Sequence, residues 1–294
     1  MVFRDLLLAL SVVAIWGLNF VVIEIGLREF PPLFLTAMRF ILVAFPAVFF
    51  AQRPKGPIAM VFLYGIFMFA LQFAFLFAGM YLGMPAGLAS LVLQFQVIAT
   101  VVLSTVLLRE VIPFQRLVGI AVALCGLAIV AWHSAGNAET VGFVLVLCAA
   151  ICWGVANIVS KKIGASSVLA LVVWGSLVAP LPLLLASFYF EGRQVMMGAL
   201  SSVSWVGIIA LGYIVYPTTF YGFSIWSKLL NLYSTNMVAP FSLLVPVFGI
   251  FFSAVILSEP MPTWKLVASA LVISGVAFNI VSLRPRSVRK TENR

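Results

Sequence analysis

The chain has 294 residues, 64% of them apolar and only 9% charged, with a net charge of +9. A soluble globular domain carries about a quarter charged residues, so this composition excludes a water-soluble enzyme or binding module. The basic excess does not point to nucleic acid either: Lys and Arg sit in short segments between apolar runs and in a tail of Arg284, Arg286, Arg289, Lys290 and Arg294, where membrane topology accounts for them.

The apolar runs have the length, about 20 residues, that crosses a hydrocarbon core of about 30 Å as a helix. The first, 5–27, follows Arg4 and carries Trp16, Asn19 and Glu24. It is too long for the apolar region of a signal peptide and is predicted to be a retained first helix. The second, 32–51, opens at Pro31-Pro32 and contains Arg39, and the third, 58–81, follows a Pro/Gly-rich turn and contains Gln72. Pro85 opens the fourth, 86–108, with Gln94 and Gln96; the fifth is 114–132. The sixth, 141–163, holds Trp153 and Asn157, and the seventh and eighth are 167–189 and 203–226. The ninth, 235–257, holds Pro240, Ser242 and Pro246, and the tenth is 263–283. Turn residues separate the runs. The predicted class is an all-α integral membrane protein of ten transmembrane helices.

The distribution of Lys and Arg sets the predicted orientation. With the N-terminus inside, the inner segments hold Arg4, Arg53, Lys55, Arg109, Arg116, Lys161, Lys162, Lys228 and the five tail cations, whereas the outer ones hold Arg28, Arg193 and Lys265. This strong inside excess predicts that both termini are cytoplasmic.

The chain also repeats itself. Residues 108–128 align without gaps on 257–277 with eight identities in 21 positions, among them Glu110 with Glu259, Pro113 with Pro262 and Gly126 with Gly275. Trp16-Gly17 is echoed by Trp153-Gly154, each followed by an asparagine three or four residues from the indole. These matches predict a first repeat over 1–135, a second over 136–283 and a basic tail over 284–294. Five helices per repeat is an odd number, so the second copy must run through the membrane in the opposite sense. Inverted repeats of this kind are typical of secondary transporters, with the binding site near the midplane between the halves and alternating access as the mechanism.

With Trp16-Gly17-x-Asn19, Arg39-Phe40, the run Pro85-Ala86-Gly87-Leu88-Ala89-Ser90, Glu110, Pro246 and Glu259 in this order, the chain resembles the EamA family of the drug/metabolite transporter superfamily. It is most similar there to bacterial amino-acid and metabolite exporters. The resemblance implies a multi-pass protein of the bacterial inner membrane and a cavity between the halves, lined mainly by helices 1, 3, 4, 6, 8 and 9. Projected here, the polar lining is Asn19, Gln72, Gln94, Asn157 and Ser242, with Trp16 and Trp153 as aromatic walls. One departure is that the first half lacks a proline in its fourth helix: ungapped alignment sets Val97 opposite Pro246, and an alternative register sets Gln94 there.

Each candidate has a bland alternative. The Trp/Asn pairs share helix faces and could hold a zwitterion, the indole attracting its cation; equally, the amides could tie helices together. Gln94 and Gln96 point to nearly opposite sides, and Gln94 is preferred because it shares a face with Ser90 and Val97. Glu24 and Arg39, the charges clearly inside spans, are candidates for coupling or for structural pairing. Glu110 and Glu259 read as turn-fixing residues. Pro240 and Pro246 are the candidate gating positions, since freed carbonyls must face protein or water.

The expected function is export of amino acids or similar small metabolites, with drug efflux as the alternative and a membrane enzyme or receptor as the reading from another class. An enzyme would need clustered reactive side chains. The only histidine is His133, and Cys125, Cys148 and Cys152 lie within spans, where they are expected to be buried free thiols without metal-ligating companions. No cofactor or metal is therefore expected; the partners are a small-molecule substrate and the lipid bilayer, with monomer and homodimer both open.

Overall fold

The computed structural model describes residues 1–109, 112–136, 139–164, 168–233 and 235–281. Glu110, Asn137 and the basic tail lie outside the described residues. Within them every element is helical. The main helices are α1 Phe3–Leu27, α2 Pro32–Ala44, α3 Ile58–Tyr81, α4 Ala86–Leu108, α5 Phe114–Ser134, α6 Glu139–Ile163, α7 Val168–Ser176, α8 Pro180–Phe190, α9 Arg193–Ser201, α10 Trp205–Leu232, α11 Ala239–Ile256 and α12 Thr263–Val281, with a 3-10 turn Ala47–Phe49 after α2 and a single helical turn Thr235–Val238 before α11. Among the described residues eight segments are long and apolar enough to cross a membrane, nine when the bent pair α7 and α8 counts as one, and α12 adds a shorter apolar stretch, Thr263–Phe278. The chain is thus a multi-pass membrane protein. Large apolar side chains cover its outside, including Phe50, Phe190, Trp132 and Trp205, as expected where the solvent is lipid; exposed Trp and Tyr suit the headgroup level.

Two features depart from the predicted elements. The run 167–189 is broken by 40° between α7 and α8, where Pro180 and Pro182 start a new helix instead of extending the old one. The amphipathic α9 lies in a stretch expected to be loop.

Four helices change winding in mid-course. Within α3, residues Ile66–Leu71 form a π turn, and within α10 so do Tyr216–Tyr221. Pro217 lies in the second of these and deprives the helix of a donor; the first has no proline, and nothing local in its sequence explains it. In α4 the helix restarts at Phe95 after Gln94, and in α11 a 3-10 turn, Ala239–Leu243, gives way to α-helix at Leu244. Gln94 (φ −65°, ψ −14°) and Leu243 (φ −67°, ψ −19°) have the same backbone conformation at these breaks, the pairing that the ungapped repeat alignment makes. Pro246 falls in the first turn of the restarted helix, where its missing N–H costs nothing.

The packing is reciprocal. Helix α1 lies against α11 and α10, α6 lies against α4 and α3, α5 pairs with α12, and α2 pairs with α8. Small residues let these helices meet. A Cβ on Gly17 would lie 2.4 Å from the Phe248 Cβ and 2.9 Å from the Gly249 nitrogen, and one on Gly154 would lie 2.8 Å from the Ala99 Cβ. The glycine of each Trp-Gly pair is therefore where its helix touches one of the broken helices, α11 or α4.

Candidate functional site

The Trp-Gly motifs deliver their neighbours to different places. Trp16 donates from Nε1 to the Thr218 carbonyl (3.0 Å), a group inside the π turn of α10. The Thr218 hydroxyl in turn donates to Oδ1 of Asn19 (3.0 Å). Trp16 also packs on Phe223 and Trp226 at 5.6 and 5.2 Å between ring centroids, and Gly222 leaves room for its indole. Trp16 and Asn19 thus converge on one residue of α10. In α6, Asn157 instead donates to Oε1 of Gln96 and Oγ1 of Thr100, both at 3.0 Å, on α4. Three residues separate Trp16 from Asn19 and four separate Trp153 from Asn157. One extra residue turns a side chain by about 100° at 3.6 residues per turn, so the two amides face different neighbours. Trp153 is half-buried between the two larger apolar clusters.

Gln94 is half-buried at the break in α4 and makes no side-chain hydrogen bond among the described residues; the bonded amide is Gln96. Ser242 is half-buried, and its hydroxyl closes a local bond to the Ala239 carbonyl (2.7 Å) in the 3-10 turn that also contains Pro240. Gln72 follows the π turn of α3. It is fully buried, and among the described residues neither atom of its amide has a partner. Arg39 is also fully buried. Its Nη2 donates to Thr219 Oγ1 (3.3 Å), its guanidinium carbon lies 4.1 Å from the Phe73 ring centroid and 5.2 Å from that of Phe40, and its Nε and Nη1 have no partner among the described residues.

Glu24 lines a cavity of about 260 Å³ with Arg28, Met80, Gly83, Met84, Pro85, Leu257 and Glu259. The fold therefore places two carboxylates, distant in sequence, on one cavity. They differ in state. Glu259 accepts from Lys265 Nζ (2.8 Å) and from the backbone N–H of Gly87 (3.3 Å), tying the start of α12 to the start of α4. This goes beyond the turn-fixing read from sequence. Glu24 makes no hydrogen bond or ion pair within the described structure.

Two further carboxylates hold helix ends across the molecule. Glu191 accepts from the N–H groups of Leu33 (2.6 Å) and Phe34 (3.1 Å) at the start of α2 and from the Ser187 hydroxyl (2.5 Å). Glu29 accepts from Ser204, whose own oxygen caps Val206 and Gly207 at the start of α10. Glu191→Ala leaves two donors at a helix N-terminus without acceptors and should lower stability by about 1–2 kcal/mol. The midpoint of thermal unfolding in detergent checks this, and an unchanged midpoint would contradict it.

Sequence reasoning did not name Thr218, Thr219 or Thr100. A proline inside a span followed by two threonines, as in Pro217-Thr218-Thr219, is the signal that could have found the first two: the lost N–H frees a carbonyl, and hydroxyls collect beside it. Among the described residues no three His, Cys, Asp or Glu side chains gather as metal ligands. The polar groups so placed are amides, hydroxyls, indoles and a few charges, in separate clusters around Thr218, Gln96 and Glu259.

Residues 4–132 and 140–281 both match the EamA-like transporter family. The chain belongs to that family. Its similarity to the relatives that follow extends over nearly their full length. It is 43% identical over 289 residues to a "Probable amino-acid metabolite efflux pump" of Salmonella typhimurium, covering 96% of this chain and 97% of the relative. A protein of Escherichia coli with the same description is 41% identical, with 98% of each chain covered. A solved crystal structure has the same fold, with a TM-score of 0.64 at 18% identity over 98% of this chain and 99% of the other.

Proposed function

We propose that this EamA-like protein exports amino acids or related small metabolites across the bacterial inner membrane by alternating access. In this reading the halves 1–135 and 136–283 are inverted five-helix repeats, both termini are cytoplasmic, and substrate binds between the halves near the π turns and broken helices. The observation that carries the mechanism is the reciprocal packing: α1 on α11 and α10 mirrors α6 on α4 and α3, the pattern expected of two copies related by a twofold axis in the membrane plane. The two stretches matched by the family and the equivalent breaks at Gln94 and Leu243 support the same division. The cargo class is supported by the full-length relatives described as amino-acid metabolite efflux pumps.

The proposed substrate contacts are Trp16, Asn19, Gln72, Gln94, Trp153, Asn157 and Ser242, with Pro240 and Pro246 at the joint where α11 changes winding. Glu24, an unpaired carboxylate on a cavity, is the proposed coupling group. Protein reconstituted in liposomes should move at least some members of a panel of labelled amino acids. Asn19→Ala combined with Asn157→Ala should reduce that flux about ten-fold, the loss expected from one or two hydrogen bonds to a solute. Movement of hydrophobic cations and no amino acid would replace this reading with drug efflux. Undiminished flux in a well-folded double variant would reduce the two amides to helix glue.

A further inference from the structure

Arg39 occupies a position that helix packing alone does not explain. An ionised group buried without a counter-ion is expensive, and in a membrane span it persists where it serves a pathway or a partner. Arg39 is 2% exposed. Among the described residues no carboxylate lies within ion-pair reach of it, and of its three nitrogens only Nη2 has an acceptor, the neutral Thr219 hydroxyl at 3.3 Å. That hydroxyl is already committed as a donor to the Ile214 carbonyl (3.1 Å). The Phe73 ring shields one side of the guanidinium at 4.1 Å, and a cation–π contact offsets only part of the lost hydration.

The surroundings fit an anion. Arg39 lies on α2 in the first half, and its single polar tie crosses to the π turn of α10 in the second. A guanidinium presents paired N–H donors at the spacing of a carboxylate's two oxygens, and such pairs are strong when desolvated. A π turn is a winding irregularity of the kind that recurs at functional sites.

We propose that Arg39 receives the carboxylate of the transported solute when α2 and α10 part at the Arg39–Thr219 contact. The inference rests on the amino-acid export reading above and adds to it the group that selects for the acid end of the cargo. Breaking one long bond to a neutral hydroxyl releases the guanidinium, and the arriving carboxylate supplies the counter-charge that the protein withholds. The cargo class is then a solute with a free carboxylate; an amine or a carboxamide of the same shape cannot satisfy the site.

The test measures binding of a panel of amino acids and their carboxamides to the purified full-length protein in detergent, with unfolding midpoints recorded alongside. The wild-type protein should favour the acid over the carboxamide by about ten-fold or more, as expected of a charge-assisted hydrogen bond. Arg39→Gln should abolish that preference while leaving carboxamide binding within about two-fold, and Arg39→Lys should retain part of it. Because Arg39→Gln removes an uncompensated buried charge, its midpoint should equal or exceed that of the wild type. An unchanged acid-to-carboxamide ratio in Arg39→Gln, with or without a lower midpoint, assigns Arg39 to packing and overturns the inference while leaving the export reading intact. Wild-type protein that binds no amino acid in the panel overturns the export reading itself, and this inference with it.

Discussion

Gly17→Val should leave the protein unable to reach a stable packed state, with a loss of about 3 kcal/mol or more. The reason is geometric. The first carbon added at position 17 would sit 2.4 Å from the Phe248 Cβ and 2.9 Å from the backbone nitrogen of Gly249, so no rotamer change can relieve it and α1 and α11 must move apart. In lipid there is little hydrophobic force to draw the helices back together, because association depends on close van der Waals contact and interhelical hydrogen bonds. The displacement would also draw Trp16 and Asn19 away from Thr218. Gly154→Val should behave alike through Ala99 on α4. Gly212→Val is the control, since a Cβ added at that glycine would meet nothing within 4 Å. Size-exclusion profiles and unfolding midpoints in detergent give the measurement; a Gly17→Val protein with the midpoint of the Gly212 variant would show that α1 and α11 do not meet as described.

Lys265→Met should cost about 3 kcal/mol, more than its size suggests. The Lys265 side chain is 4% exposed and that of Glu259 12%. Removing the cation strands a carboxylate in a site whose remaining donor is the Gly87 N–H at 3.3 Å. Glu259→Gln alone should also be destabilising, by stranding the Lys265 cation. Combining the two substitutions removes both charges, and most of the loss should be recovered, because a buried ion pair replaced as a unit is nearly neutral. The comparison is a double-mutant cycle on unfolding midpoints. Additive losses in the double variant would mean that the two charges are not each other's principal partners.

Helix positions are largely legible in the order of residues alone. The segments 58–81 and 86–108 coincide with α3 and α4, because a lipid-spanning helix must satisfy its backbone internally and so announces itself as one uninterrupted apolar run. What is not legible lies in irregularities inside those runs and in a short element between them. The π turn at Ile66–Leu71 has no local signature, and α9 lies in a stretch without span-like hydropathy. The break between α7 and α8 has proline cues, yet composition alone makes it one continuous span.

The candidate site divides in the same way. Trp16, Asn19, Trp153 and Asn157 can be picked out because polar and indole groups are few in these spans. Their partners cannot, since a single residue of spacing turns Asn19 towards Thr218 and Asn157 towards Gln96. Choosing between Gln94 and Gln96 needs the break at Gln94, which resets which face of α4 looks at α6. Arg39 is visible as an intramembrane charge, but its isolation from every carboxylate among the described residues is not.

The sequence by itself determined that this is a multi-pass helical membrane protein in which several motifs recur, because hydropathy, turn residues and repeated motifs are properties of order along the chain. Tertiary structure alone decided which amides are bonded, which carboxylates cap helices across the molecule, and which charges are left without partners. Those outcomes depend on winding and on close approach between helices, and a shift of one residue or a few tenths of an ångström is enough to change them.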